Sequence, residues 1–412
     1  MIKIAVIGYG VVGSGTVEVF YKNLDSIEKK IGDKIDIKYI LDLRDFTGTP
    51  YDEKFIKTFD PIINDDEISI VAEVIGGIEP AYRYVKSLLE AGKSVVTSNK
   101  ELVAEKGAEL LRIARDKKVN FFFEASVGGG IPIIRPLHHC LSANEINEIA
   151  GILNGTTNFI LTKMINEGMA FNDALALAQK LGYAERDPSA DIEGYDACRK
   201  ICILASLAFG KHIYPKDVHI EGISSITAED VQYCDDFGGR IKLIGWASKR
   251  DDKAIVMVCP AFISDFSQLA SVNDVFNAIL VRGDATGDVM FYGKGAGKLP
   301  TASAVVADII MAAKMSDSSK SLYWEDSEQA FVLDRKLLDS KFYLRLICKN
   351  KVEALKQAEE LWGSLKLLHR EGEADNEVAF VTESINEYKF EQDCALILKS
   401  AEIKGKIRVL DY

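Results

Sequence analysis

No stretch of this chain approaches the ~20 apolar residues that a membrane-spanning helix needs, and Ile201 to Gly210 has only the length of a core helix. Nothing at the N-terminus resembles a signal peptide either. The apolar segment from Met1 to Gly8 is short and runs straight into a glycine turn, without a small-residue cleavage site. Long Lys/Arg runs are absent, and a formal net charge of -12 repels phosphate backbones and anionic lipid. Nucleic acid and membrane are therefore not expected as partners, and the expected compartment is the cytoplasm. The seven cysteines include no C-x-x-C pair and sit mostly in apolar runs such as Ile201-Cys202-Ile203, as reduced, packed thiols do. Cys198 and Cys202 stand four apart on a helical pattern, but no histidine or further cysteine completes four metal ligands. Internal repeats and low-complexity tracts are missing as well.

What the chain has is length and apolar content: 412 residues, 48% of them hydrophobic, enough for two or three domains at ~150 residues each. Ile2 to Ile7 reads as a strand, followed by a glycine turn and a helix over Thr16 to Lys22. Strands over Ile35–Leu43, Ile68–Ile75, Ser94–Thr97 and Val119–Glu124 then alternate with helices over Pro80–Ala91 and Leu102–Lys117. That rhythm predicts an α/β fold, a Rossmann-type doubly wound parallel sheet. After Gly128-Gly129-Gly130 the rhythm changes. A strand over Ile146–Leu153 leads into the turn Asn154-Gly155-Thr156-Thr157-Asn158, and apolar helices follow over Ala170–Leu181 and Gly194–Phe209. Ile255 to Val281 alternates in strand fashion, so the second domain is expected to be mixed α+β. A helix over Thr301–Met315 is expected to return to the first domain, and Ser316 to Glu328 has the composition of a linker. The last unit reads βαββαβ: strand Phe342–Cys348, helix Val352–Trp362, strands near Leu365–His369 and Glu377–Val381, helix Ile385–Lys399, strand Lys406–Leu410. The expected boundaries are 1–130 with 300–320, then 131–299, then 340–412.

In Gly8-Tyr9-Gly10-Val11-Val12-Gly13 the first glycine permits a tight turn, the second lets a pyrophosphate approach the backbone, and the third lets strand and helix pack closely. Placed between a strand and a helix N-terminus, this is the context in which the motif binds a dinucleotide. Asp42 is the candidate acid for a ribose 2′-hydroxyl, although it lies further on than the usual ~20 residues. Arg44 could instead hold a 2′-phosphate, which leaves NAD and NADP both open.

Asp196 and Lys200 stand four apart on one helical face. As a surface ion pair they would matter little. Ile203 and Leu207 continue that face, however, so Lys200 is expected at the edge of a buried region, where desolvation and a second lysine such as Lys100 would lower its pKa into the range useful for proton transfer. Taken alone, Glu185 and Asp191 read as solvated loop acids.

Five further stretches carry a family resemblance: Thr97-Ser98-Asn99-Lys100, Glu124 through Pro132, Gly151 through Asn158, Gly182-Tyr183-Ala184-Glu185 with Asp187-Pro188, Asp191, Asp196 and Lys200, and Gly297 through Ala302. With Gly8 to Gly13, they resemble homoserine dehydrogenases in identity, order and spacing over roughly residues 1 to 320. The resemblance implies an NAD- or NADP-dependent oxidoreductase that interconverts L-homoserine and L-aspartate 4-semialdehyde, in the formation of threonine, methionine and isoleucine. It implies Lys200 as general acid/base, Lys100 as the group that orients the reacting oxygen, and Glu185, Asp196 and Asp191 as the substrate-binding acids. It places Tyr9, Val11, Val12 and Thr97 in the cofactor cleft, Gly182 and Gly297 on the nicotinamide side, and a second domain that binds substrate and dimerises. A monovalent cation, Na or K, would be held by the Glu124 carboxylate with the main-chain carbonyls of Val127, Gly129 and Ile131. A homodimer or homotetramer is implied, in the monofunctional form without a fused kinase.

Residues 340–412 resemble an ACT domain in their element order and in Tyr343-Leu344-Arg345-Leu346. Lys349-Asn350-Lys351-Val352-Glu353 stands where the usual Asp-x-Pro-Gly turn would offer amides to a ligand carboxylate. A mainly structural or dimerising module is therefore expected, and the sequence leaves threonine feedback open. Two rival readings are weaker. An aspartate-semialdehyde dehydrogenase needs a cysteine nucleophile, which the Asn154 turn lacks, and a nucleotide sensor without turnover has no use for Lys100 and Lys200.

Overall fold

Ile2–Ile7 is buried from Ile4 onward because it is an inner strand of a parallel sheet, covered on both faces. This computed structural model describes residues 1–315, 322–327 and 331–411. The chain divides into two units, the first made of Met1–Ile146, Cys202–Lys216 and Arg282–Phe331. Its strands stand in the order Phe55–Ile56, Ile35–Leu41, Ile2–Ile7, Ile68–Glu73, Ser94–Thr97, Phe121–Phe122, and each adjacent pair is parallel. That is the doubly wound order, and its switch point lies between Ile2–Ile7 and Ile68–Glu73.

Helix Val11–Lys22 starts five residues earlier than the expected Thr16, because the glycine turn feeds it directly and Gly10 occupies its N-cap position. A Cβ on Gly15 would stand 2.9 Å from the Lys298 carbonyl oxygen; glycine there lets helix Lys298–Lys314 pack against Val11–Lys22 within this unit. Of the linker expected from Ser316 to Glu328, residues 316–321 and 328 lie outside the described residues. Trp324, within the described part, is a core residue. It donates from Nε1 to His212 Nδ1 at 2.8 Å, and His212 Nε2 meets the Ala104 carbonyl oxygen at 2.9 Å. Those partners require a neutral ring with its proton on Nε2. Burial accordingly pushes the His212 pKa down to about 4.

The second unit comprises Asn147–Ile201, Asp217–Val281 and Val332–Tyr412. Its sheet runs Phe276–Gly283, Ile146–Ile152, Gly239–Arg250, Lys253–Ser264, Ala401–Leu410, Asp339–Cys348, Glu377–Thr382, Leu365–Leu368. Strand Gly239–Arg250 was not expected. It carries a glycine at 245 because a Cβ there would stand 2.8 Å from Leu153 Cδ1. Helix Gly155–Glu167, where the sequence suggests a turn, follows the strand Ile146–Ile152. The last elements are strand Asp339–Cys348, helix Lys351–Trp362, strands Leu365–Leu368 and Glu377–Thr382, a short strand Ile385–Asn386, helix Glu387–Ile397 and strand Ala401–Leu410. Ala401–Leu410 pairs in parallel with Lys253–Ser264, joining these elements to one continuous sheet.

Two buried ion networks brace that junction. Arg408 binds Glu387 through Nε at 2.9 Å and Glu221 through one terminal nitrogen at 2.8 Å. Arg345 donates to Asp230 Oδ1 at 3.0 Å, and the Tyr343 hydroxyl donates to the same oxygen at 3.0 Å. Arg345 stands opposite Gly405 in the register, where a Cβ would lie 2.4 Å from Asp230 Oδ1. Among the described residues no helix is long and apolar enough to cross a membrane.

Two predictions follow from these contacts. Gly405→Ala should destabilise the protein by ~1–3 kcal/mol, since Asp230 is held by Arg345 and Tyr343 and cannot yield; an unchanged urea midpoint would refute this. Because the folded His212 pKa lies below the unfolded value, the unfolded chain binds the extra proton, so stability falls as pH drops from about 6.5 toward 4. The loss should reach ~3 kcal/mol at the acid end, and His212→Phe should flatten that part of the urea-midpoint profile.

Candidate functional site

The dinucleotide motif is built from steric necessity. Gly8 has φ +100°, and a Cβ on it would meet Ile75 Cγ2 at 2.7 Å. A Cβ on Gly13 would stand 2.0 Å from the Gly8 carbonyl oxygen. Gly10 is different: a Cβ there would meet nothing within 4 Å, so its bare backbone leaves open space at the N-terminus of Val11–Lys22, the place where an anion is stabilised. Val11 is exposed there and Val12 half-buried, while the Tyr9 ring packs edge-on against Phe46 and Phe55, each at 4.9 Å. Beside the turn lies a cavity of about 380 Å³ whose lining includes Gly8, Asp42, Arg44, Lys57, Ile75 and Gly76. These features fit a dinucleotide.

Asp42 does close the second strand's end of this cavity, but its carboxylate is already engaged. It accepts the Tyr9 amide at 2.8 Å and the Arg44 side chain at 3.1 and 2.9 Å. The Arg44 guanidinium holds the Asp42 carboxyl down at about 2. Lys57 donates from Nζ to the Leu43 and Arg44 carbonyl oxygens, adding a second positive charge to the same rim.

Thr97 is buried at the end of Ser94–Thr97, and Lys100 is the first residue of helix Lys100–Lys117. Gly297, with φ +129°, is the N-cap of Lys298–Lys314. Glu124 is buried, and both of its carboxylate oxygens are taken. Oε1 accepts the amides of Ile133 and Ile134 at 2.6 and 2.9 Å; Oε2 accepts the Arg135 amide and Nε at 2.9 and 2.8 Å. Four donors use the lone-pair directions of a carboxylate, one of them an arginine, so the expected ligation of a cation by this carboxylate does not fit. Its own amide donates to Asp308 Oδ2 at 2.8 Å, and burial pushes the Asp308 carboxyl up to about 7. Val127 and Ile131 are buried on either side of the glycine turn, and a Cβ on Gly129 would stand 2.6 Å from the Gly295 carbonyl oxygen. Close packing against 294–300 accounts for the glycines at 129 and 130.

In the second unit the structure gathers three of the sequence-predicted residues around one asparagine. Lys200 is 7% exposed and Asp196 4%, so the pair is buried and the surface reading is ruled out. Lys200 Nζ donates to Asp196 Oδ2 at 2.6 Å and to the Leu153 carbonyl oxygen at 2.7 Å. Asn154 Nδ2 donates to Asp196 Oδ2 at 2.8 Å and to Asp191 Oδ1 at 2.7 Å. The geometry of Asn154 comes from its place as N-cap of Gly155–Glu167, where its Oδ1 accepts the Thr157 amide at 2.9 Å. Gly155 is required beside it, since a Cβ would stand 2.7 Å from the Val275 carbonyl oxygen. Glu185 is exposed, on a loop tied down by the Thr156 hydroxyl to the Tyr183 carbonyl at 2.7 Å. Gly182, with φ +76°, opens that loop.

A buried ammonium held by a carboxylate and a carbonyl can deliver a proton to an alkoxide, and the acids around it can bind a cationic group. Sequence reasoning missed Asn154 as the organiser. The signal is present in the sequence: Asn before Gly-Thr-Thr is an N-cap pattern as much as a turn pattern.

Comparison with known proteins gives matches to two family models, one described as homoserine dehydrogenase over residues 132–310 and one as homoserine dehydrogenase, NAD binding domain, over 8–124. The homoserine dehydrogenase of Bacillus subtilis (strain 168) is 43% identical over 317 residues, 76% of this chain and 73% of that protein. That of Neisseria gonorrhoeae is 38% identical over 412 residues, 96% of this chain and 95% of its own length. The crystal structure of a homoserine dehydrogenase from Thiobacillus denitrificans superimposes with a TM-score of 0.89 at 34% identity, covering 100% of this chain and 98% of that one.

Proposed function

The chain belongs to the homoserine dehydrogenase family, and from that premise we propose how its residues divide the work of interconverting L-homoserine and L-aspartate 4-semialdehyde with a nicotinamide cofactor. The nicotinamide, when bound, accepts or supplies the hydride. Lys200 is the proton carrier: as the neutral amine it takes the hydroxyl proton when homoserine is oxidised, becoming the ammonium, and as the ammonium it gives a proton to the carbonyl oxygen when the semialdehyde is reduced. Lys100 orients that oxygen. Asp191, Asp196 and Glu185 bind the substrate ammonium, and Asn154 keeps Asp191 and Asp196 aimed together. Gly182 and Gly297 serve the nicotinamide side, and Gly8 to Gly13 with Thr97 the rest of the cofactor. The observation that carries this reading is the buried ammonium of Lys200 between Asp196 and the Leu153 carbonyl.

The cofactor's adenosine end falls to Arg44 and Lys57. Asp42, saturated by Arg44 and the Tyr9 amide, is poorly placed to accept a ribose hydroxyl, whereas two cations on one rim suit a 2′-phosphate. NADP is therefore the preferred cofactor. A monovalent cation, Na or K, would be held by the main-chain carbonyls of Val127, Gly129 and Ile131, without the Glu124 carboxylate. Residues 340–412 act as an ACT-like module that braces the sheet and contributes to a homodimer or homotetramer. At the position where a ligand carboxylate would meet backbone amides, the Asn350 side chain already accepts Val352 and Glu353 amides at 3.1 and 3.3 Å.

Three outcomes are expected. Lys200→Ala should lower homoserine-dependent kcat by ~10²–10⁴-fold while NADPH still binds; an unimpaired variant would remove Lys200 from the chemistry. Arg44→Ala should raise KM for NADP by about tenfold or more and leave KM for NAD nearly unchanged, and equal effects on both would return the choice of cofactor to Asp42. Threonine at millimolar concentration should leave the rate unchanged, and saturable inhibition would contradict the closed Asn350 turn.

A further inference from the structure

Glu73 ends strand Ile68–Glu73 with a fully buried side chain, and the reaction as described gives it no task. A buried carboxylate is tolerated only where its oxygens find donors. Here the donors come from two separate turns. Oε1 accepts the Ile75 amide at 2.8 Å and Oε2 the Thr97 hydroxyl at 2.6 Å. Thr97 Oγ1 in turn accepts the Asn99 amide at 2.9 Å. Burial pushes the Glu73 carboxyl pKa up, against the hydrogen bonds it accepts. With the Asn99 amide aimed at one lone pair of Thr97 Oγ1, the hydroxyl proton is left to point at Glu73 Oε2, so the two turns form one hydrogen-bonded relay.

Each turn leads to a working part of the first unit. Ile75 and Gly76 line the cofactor cavity, and the Ile75 side chain and Val74 carbonyl lie against Gly8. On the other side Asn99 caps helix Lys100–Lys117, its Oδ1 accepting the Leu102 amide at 3.0 Å and its Nδ2 donating to the Gly77 carbonyl at 2.6 Å. Glu73 and Thr97 are direct neighbours in the parallel register. One carboxylate thus fastens the wall of the cofactor cavity to the turn that launches Lys100.

We propose that Glu73 is a positioning residue for the reaction, acting through Thr97 and Asn99 on Lys100 and through Ile75 and Gly76 on the cofactor. The Lys100 half rests on the role given to Lys100 above; the cofactor half does not.

The test uses the full chain with Glu73→Gln, Thr97→Val and the double variant, which break the relay from either end with little change of shape. NADPH is titrated in by its own fluorescence, homoserine turnover is measured in parallel, and urea midpoints report folding. The expected result is a dissociation constant for NADPH raised and a kcat lowered, each at least tenfold, in both single variants, with the double variant no worse than the weaker single one and the urea midpoints little changed. Parental affinity and kcat in Glu73→Gln would overturn the proposal. So would losses in the two single variants that multiply in the double one, or a lowered active fraction with parental affinity and KM, which is what a merely structural role gives. If the parent chain itself failed to turn over homoserine, the functional reading would fall, and the NADPH titration alone would decide for or against Glu73.

Discussion

A charged lysine inside a protein must be surrounded by acceptors, and much of the second unit is arranged around that demand at Lys200. Its ammonium is met by the Leu153 carbonyl and by Asp196. Asp196 is shared with Asn154, which also holds Asp191. Asn154 can do this only as the N-cap of Gly155–Glu167, and that helix start is pressed against Val275 through a glycine. One turn further along, Asn158 receives a second buried lysine, Lys242, at 3.1 Å and donates to the Val272 and Asp274 carbonyls. Burial lowers the Lys242 pKa to about 8. Removing one partner from such a chain leaves the others buried and unmatched, so its members stand or fall together.

The first unit meets a different constraint with the same means. A parallel sheet delivers its loops to one edge, and an edge of loops is precise only if something rigid ties them. The glycine turn is fixed by steric exclusion, since a side chain at Gly8 or Gly13 would collide with Val74, Ile75 or the turn's own carbonyl. The neighbouring turns are fixed by Glu73, and the Glu124 carboxylate gathers the amides of 133–135. Glu73 and Glu124 act here as splices, the first joining donors of two separate turns and the second tying its own turn to the backbone of 133–135.

The parts that were legible in the sequence are those with one local cause. Strands Ile2–Ile7 and Ser94–Thr97 lie where apolar runs bounded by turns placed them, and Gly8 and Gly13 have the steric tasks their spacing implies. The family resemblance picked out Asp191 and Asp196, which the structure brings to Asn154, and Lys200, which joins them through Asp196. What stayed hidden depends on partners distant in the chain. Gly155–Glu167 was hidden because its cap residue reads equally well as a turn, and Gly239–Arg250 because Gly245 breaks the strand pattern for the sake of Leu153. Glu124 was singled out through the family resemblance alone, and the amides its carboxylate accepts, arriving from nine to eleven residues later, leave no trace in the local sequence.

The central claim is a direct hydride transfer between nicotinamide and the terminal carbon of a four-carbon amino acid. It is tested most directly by reducing L-aspartate 4-semialdehyde with NADPH carrying deuterium at C4 of the ring, separately on each face, and examining the product by mass and proton spectra. The account predicts L-homoserine with a single deuterium at C4 from one of the two labelled cofactors and none from the other. Homoserine without deuterium from either cofactor, or no homoserine at all, would contradict it.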